Sequence, residues 1–183
     1  MTPQDTVLLV VDVQEKLVPM IRGAKRLEWN LRRLLDGAEA TGLGVLATEQ
    51  YPQGLGSTIE SLAGRLGDVP SKQTFSCGGC EQFAESLEAS AADKVMVCGI
   101  EAHVCVQQTV LDLLANGYRV FVPVDAVGSR FQIDYETGLK RMESAGATLT
   151  TTESALFEWC QVSGTPVFKK ISALVREQPP DES

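Results

Sequence analysis

The sequence predicts an α/β domain in three layers, a parallel sheet with helices on both faces. Three observations predict it. Apolar strand-like runs alternate with helical patterns along the chain. Several of those runs are unbroken Val/Ile/Leu stretches with no polar alternate position, as in strands covered on both faces. A length of 183 residues, 44% of them apolar, suits one domain around one substantial core.

The elements follow in order. Thr6–Val13 carries the run VLLVVDV, a buried strand with a lone acid, Asp12, near its end. Lys25–Ala40 sets Leu27, Leu31, Leu34, Leu35 and Ala38 on one helical stripe, and Gly42 supplies the stop. Gly44–Thr48 is a second short strand. Gln50–Gly56, with Pro52, Gly54 and Gly56, is a loop. Glu81–Ala89 is a short helix, and Lys94–Ile100 (KVMVCGI) is a third buried strand. A helix over His103–Asn116 stops at Gly117, and Tyr118–Val124 is a fourth strand. A helix over Ile133–Ser144 closes at Gly146, and Ala147–Thr151 is a fifth strand. Ser154–Cys160 begins a helix, and Pro166–Arg176 is the last one. The stretch Glu177–Ser183 is rich in proline and acid, which predicts a disordered tail. Parallel sheets gather their sites at the carboxyl ends of strands. Asp12 and Cys105, each at or just past such an end, are therefore expected to converge.

Charge and cysteine usage narrow the partners. Twenty-four acidic residues against 16 basic ones give a net charge of −8, which argues against broad phosphate-backbone binding, so no nucleic-acid partner is expected. No apolar run approaches the roughly 18 residues of a membrane span, so no membrane partner is expected. The cysteines, at 77, 80, 98, 105 and 160, are odd in number and sparse. That pattern points to free thiols in a reducing compartment, and without a secretory signal pattern it predicts a cytoplasmic location.

The chemistry centres on Cys105, in the run VCGIEAHVCVQQ from Val97 to Gln108. A strand ends, a short turn follows and a helical pattern begins. A thiol at a helix start feels the positive end of the backbone dipole, which lowers its pKa. Such a turn also presents backbone N–H groups beside the thiol. Taken alone, each candidate has a plainer reading. Cys105 reads as a packed thiol. Asp12 reads equally as a turn cap or a general base. Lys72, in Pro70–Ser76 (PSKQTFS), reads as an exposed lysine. Cys77 and Cys80 form a C-x-x-C just after Lys72, with no second pair to complete a zinc site, and read as a loop bearing two thiols, with a redox pair as the alternative. Tyr51, Phe75 and Phe131 suit a pocket wall, the core or an interface equally. Leu156–Trp159 suits a buried or interface surface.

Taken together, these pieces resemble the isochorismatase-like cysteine hydrolase family, and within it the isochorismatase domain-containing protein subgroup. The matching segments are Leu8–Gln14 (LLVVDVQ), Lys72 with Phe75–Ser76, Gly99–Val106 (GIEAHVCV), Gly117–Val120, Val124–Val127 and Thr151–Phe157 (TTESALF). The resemblance spans nearly the whole chain. It implies a single Rossmann-like hydrolase domain over residues 1–176, with the tail at 177–183. It implies a catalytic triad of Asp12, Lys72 and Cys105, in which Asp12 moves protons, Lys72 holds charge and Cys105 attacks a carbonyl. It implies a cis peptide between Ile100 and Glu101 that aims the Glu101 and Cys105 N–H groups at one oxygen, an oxyanion hole. Gln14, Tyr51, Phe75 and His103 are the expected substrate-binding residues, the substrate a small molecule, and the assembly a homo-oligomer.

Departures from the family pattern narrow the chemistry. Relatives that hydrolyse nicotinamide carry an acid and several histidines after the second strand. Here Thr48–Gly56 contains no histidine, and His103 is the chain's single one. No catalytic metal and no cofactor are expected. True isochorismatases carry a small residue where Cys105 stands. The reading is therefore a metal-independent amidase-type hydrolase that cleaves a C–N bond through a Cys105 thioester. The alternatives are a catalytically silent binding protein on the same fold and a redox-sensitive protein using Cys77 and Cys80.

Overall fold

The computed structural model describes residues 1–181. The last two residues of the expected tail, Glu182 and Ser183, lie outside the described residues. The strands are β1 (Thr6–Val11), β2 (Gly44–Gln50), β3 (Ser71–Lys72), β4 (Lys94–Ile100), β5 (Arg119–Pro123), β6 (Val127–Gly128) and β7 (Thr148–Thr150). The α-helices are α1 (Ala24–Thr41), α2 (Pro52–Leu55), α3 (Glu60–Ala63), α4 (Glu81–Ala89), α5 (Gln107–Ala115), α6 (Gln132–Ser144), α7 (Thr152–Cys160) and α8 (Pro166–Val175). All strand pairings are parallel, in the order β3-β2-β1-β4-β5-β7, with β6 pairing the end of β4 beyond β5.

The apolar strands explain the layers. β1 and β4 are buried at every position. Leu8, Val10, Met96, Cys98 and Ile100 face a core shared with α1, α7 and α8. Val7, Leu9, Val11, Val95 and Val97 face a second core, with Phe83 of α4, Val110 of α5 and Met142 of α6. Each fully buried Val or Leu side chain contributes about 1.5–3 kcal/mol. The two central strands therefore anchor both layers. α1 leaves no room against α7: a Cβ on Gly37 would stand 2.1 Å from Leu156 Cδ2. Leu156 and Trp159 are core residues, whereas Phe157 between them is exposed.

Several local features depart from the sequence reading. The helix expected over His103–Asn116 has two parts. Ala102–Val106 is wound as a π-helix, with Val106 N–H donating to Glu101 O at 3.2 Å, and α5 follows. Apolar spacing over so short a run does not separate the two helix types, and π-turns concentrate at functional sites. Residues 52–55 close one helical turn inside the expected loop. β3 is only two residues long and carries no readable period. Glu177, assigned by sequence to the tail, accepts hydrogen bonds from Trp29 Nε1 at 3.0 Å and from Arg32.

Candidate active site

The carboxyl ends of β1, β3 and β4 bring Asp12, Lys72 and Cys105 together. Asp12 follows β1 in a left-handed conformation, φ 52°, held by its N–H to Thr48 O at 3.1 Å. Its side chain is sealed from solvent. Asp12 Oδ2 accepts from Lys72 Nζ at 2.7 Å, and Oδ1 accepts from Thr48 Oγ1 at 2.9 Å. The Cys105 thiol lies in the field of this carboxylate, and each shifts the acidity of the other.

Lys72 is equally buried and fully used. Beyond Asp12, its ammonium meets Gln50 Oε1 at 2.8 Å, Phe75 O at 2.9 Å and Thr74 O at 3.2 Å. A buried charge pair is tolerable only when its remaining hydrogen-bonding capacity is met, and here it is. Gln50 is fixed in turn by its own amide N–H to Gln73 O at 2.9 Å.

The nucleophile turn depends on Gly99, the next-to-last residue of β4. Its φ of 112° and a Val11 O that would stand 2.2 Å from any Cβ leave no place for a side chain. The Ile100–Glu101 peptide that follows is cis. The Glu101 carboxylate accepts from Arg130 N at 3.1 Å and from Arg130 Nε at 3.1 and 3.2 Å. His103 Nδ1 lies 3.0 Å from Ser129 Oγ. Two side-chain links therefore fasten the loop at 129–131 to the turn that carries Cys105.

The electrostatics correct one expectation. A helix start was expected to lower the Cys105 pKa. Burial instead raises it, and the nearby Asp12 charge raises it further, against the opposing pull of Lys72. Burial also lifts the Asp12 carboxyl above the ordinary carboxylate range, with the Lys72 ammonium opposing. Burial and the Asp12 charge both favour the neutral Cys105 thiol at rest.

Residues 6–154 match the family model for the isochorismatase domain. The chain belongs to the isochorismatase family. Mouse isochorismatase domain-containing protein 2A is 37% identical over 179 residues, which cover 98% of this chain and 86% of that one. The MAR1 ribonuclease structure from Caenorhabditis elegans superposes with a TM-score of 0.91 at 38% identity, covering 100% of this chain and 95% of that one. A cysteine hydrolase from Pseudomonas syringae shares the fold, with a TM-score of 0.75 at 20% identity and 95% coverage of each chain.

In this isochorismatase-family chain the expected substrate residues take different places. Gln14 is turned inward. It is fully buried, and its amide is consumed by Gln50 N (2.8 Å), Gln50 O (2.9 Å) and Gly56 O (2.6 Å), so it braces the end of β2. His103 turns to Ser129, with Asp134 Oδ2 3.8 Å from its Nε2. Tyr51 and Phe75 are exposed, and both flank Lys72: Tyr51 N–H donates to Lys72 O at 3.0 Å, and Phe75 O accepts from its ammonium. A cavity of about 520 Å³ opens between the starts of α1 and α6, with Ser129 in its wall, but Cys105 does not line it. Among the described residues no three His, Cys, Asp or Glu side chains are grouped to hold a metal ion. Among them, too, no helix is long and apolar enough to cross a membrane.

Sequence reasoning missed Thr48, Gln50 and Arg130. Thr48 and Gln50 carried the signal that singled out Asp12, a polar side chain at the carboxyl end of an apolar strand. Arg130 carried none.

Proposed function

We propose that this protein is a cysteine hydrolase that cleaves the C–N bond of a small amide through a Cys105 thioester. One observation carries the reading: a single sealed carboxylate, Asp12, holds the Lys72 ammonium at 2.7 Å, and its charge acts on the Cys105 thiol. Asp12 takes the Cys105 proton, and the thiolate attacks the carbonyl carbon. The Glu101 and Cys105 N–H groups receive the developing oxyanion, a role in which one donor is typically worth about 10²–10³ in rate. Asp12 then gives the proton to the leaving nitrogen as the C–N bond breaks. Water, losing its proton to Asp12, attacks the thioester, and Cys105 leaves as a thiol. Lys72 keeps Asp12 in place and counters its charge. Tyr51 and Phe75 form the mouth of the substrate site. No metal takes part, so a chelator leaves the rate unchanged. The free cysteines fit a reducing, cytoplasmic setting. Exposed Phe131, Ile133 and Val162 supply apolar surface for a homo-oligomer, which light scattering tests.

The deciding experiment is turnover of a panel of small amides by the wild type, Cys105→Ala and Asp12→Asn, with mass spectrometry for an acyl adduct on Cys105. Both variants are expected to be inactive and folded. Unchanged turnover in Cys105→Ala overturns the reading. Short RNA belongs in the panel because a relative is named a ribonuclease. The net charge of −8 opposes RNA binding, and cleavage of RNA alone would replace the amide. A thiol no more reactive than free cysteine, with no turnover, would mark a binding protein.

A further inference from the structure

The proposed hydrolysis leaves one thiol beside the site unused. Cys77 is fully buried. Its Sγ lies 3.3 Å from Thr48 Oγ1, the hydroxyl that donates to Asp12 Oδ1 at 2.9 Å. Its backbone N–H donates to Thr109 Oγ1 at 2.9 Å, and the Thr109 hydroxyl donates to Cys105 O at 2.7 Å. A single threonine on each of two routes therefore links Cys77 to the Asp12–Cys105 pair. Burial and the Asp12 charge push the Cys77 thiol up to about 11, so it rests protonated.

The other thiols are placed differently. Cys80 turns toward Ser71 O, 4.0 Å away. Cys98 faces the opposite core and donates to Leu9 O at 3.4 Å. Cys160 is at the end of α7, beside Val162 O. The two thiols of the C-x-x-C thus have different neighbours, and those of Cys77 lead to the candidate site.

We propose that Cys77 is a resolving thiol: when a hydroperoxide oxidises Cys105, Cys77 closes the product into a Cys77–Cys105 disulfide that silences the site reversibly. The proposal rests on the reading of Cys105 as the reactive thiol. Asp12 takes the Cys105 proton, and the thiolate attacks one oxygen of hydrogen peroxide. An S–O bond forms, the O–O bond breaks, and the departing hydroxide takes the proton from Asp12 as water. Asp12, ionised again, draws the Cys77 proton through the Thr48 hydroxyl. The Cys77 sulfur then displaces hydroxide from the Cys105 sulfenic acid, and that hydroxide leaves as water with the same proton. Two thiols lose two electrons, and one peroxide becomes two waters. A disulfide requires the two Cα atoms within about 7 Å, and the Thr109 hydroxyl shared by Cys77 N and Cys105 O brings the two backbones beside each other. The disulfide spares Cys105 the irreversible sulfinic state.

The test treats the full-length protein with hydrogen peroxide, alkylates remaining thiols under denaturing conditions, and maps unreduced peptides by mass spectrometry. In the wild type a Cys77–Cys105 linked peptide is expected, and dithiothreitol restores both free thiols. In Cys77→Ser and Cys77→Ala, Cys105 is expected to reach the sulfinic acid, and dithiothreitol does not return it. Cys80→Ser is expected to match the wild type. A wild type in which Cys105 stays reduced, goes to sulfinic acid while Cys77 remains alkylatable, or pairs with another cysteine overturns the proposal, as does a Cys77–Cys80 link. The peptide map does not depend on turnover. Disulfide formation without any amidase activity would sink the hydrolase reading and keep this one, and the reverse result would do the opposite.

Discussion

Lys72 Nζ lies 2.7 Å from Asp12 Oδ2, with both side chains shut away from solvent. Breaking such a pair leaves one charge stranded, at a typical cost of about 3–5 kcal/mol. Lys72→Met is expected to lose that much in urea unfolding at neutral pH. The sign of its pH dependence follows from Asp12, whose carboxyl Lys72 holds down against burial. Without Lys72 that carboxyl rises further. The stability deficit therefore shrinks as the pH falls and Asp12 becomes neutral, and the acid limb of kcat/KM moves to higher pH. A deficit that stays constant with pH would count against the assignment.

Asp12→Asn separates acidity from catalysis. The Asp12 charge is one of the causes that raise the Cys105 thiol, so removing it lowers the thiol pKa and increases the thiolate fraction at a given pH. Turnover should nevertheless drop by about 10²–10⁴-fold, because the proton carrier is gone. The pH profile of Cys105 alkylation measures the first effect and a rate assay the second. A thiol pKa that rises in this variant contradicts the electrostatic account.

Arg130→Met tests the fastening of the loop at 129–131. It strips the Nε donor from the Glu101 carboxylate and leaves the backbone N–H of residue 130 in place. Loss of a hydrogen bond to a buried charge costs about 1.5–3 kcal/mol, which thermal unfolding reads. Small displacements at a reacting centre can cost about 10²-fold in rate, so kcat/KM is expected to fall by at least tenfold while Cys105 still alkylates. Unaltered stability and rate would show that the link is idle.

Gly99→Ala asks for space that is absent, since Val11 O would stand 2.2 Å from the new Cβ and the backbone φ is 112°. β1 and β4 would have to part at the point that sets the nucleophile turn. The variant is expected to lose more than about 3 kcal/mol, judged from overpacking and left-handed strain combined. Gly117→Ala, also at positive φ but with no atom within 4 Å of its Cβ, is the control that carries the strain without the clash. Equal melting temperatures for the two would remove the packing argument.

What the sequence made legible follows from physics. β1 and β4 are unbroken apolar runs because helices cover both faces, and α1 shows a full stripe because it lies over one core. Asp12 and Cys105 stood out because polar or reactive side chains at strand ends are few. Lys72 did not stand out: β3 is two residues long, and a lysine in a loop looks the same whether solvated or sealed. It was picked out by family resemblance. Gln14 is expected from the resemblance to bind substrate, and burial and the spending of its amide on the backbone of Gln50 and Gly56 are features a sequence does not display. The acidity of Cys105 was misjudged because a helix dipole can be read from sequence, but burial and a facing carboxylate cannot.

The strand order carries a consequence for how the protein acquires its chemistry. β1 sits between β2 and β4, and the Asp12–Lys72 contact spans 60 residues of chain. Asp12, Lys72 and Cys105 lie on separate crossovers, so no contiguous fragment holds the assembled site without most of the sheet. Contacts of such high contact order form slowly during folding. Regain of turnover after dilution from urea therefore times the joining of β3, β2, β1 and β4, and a nascent chain that has not yet delivered β4 carries no assembled site.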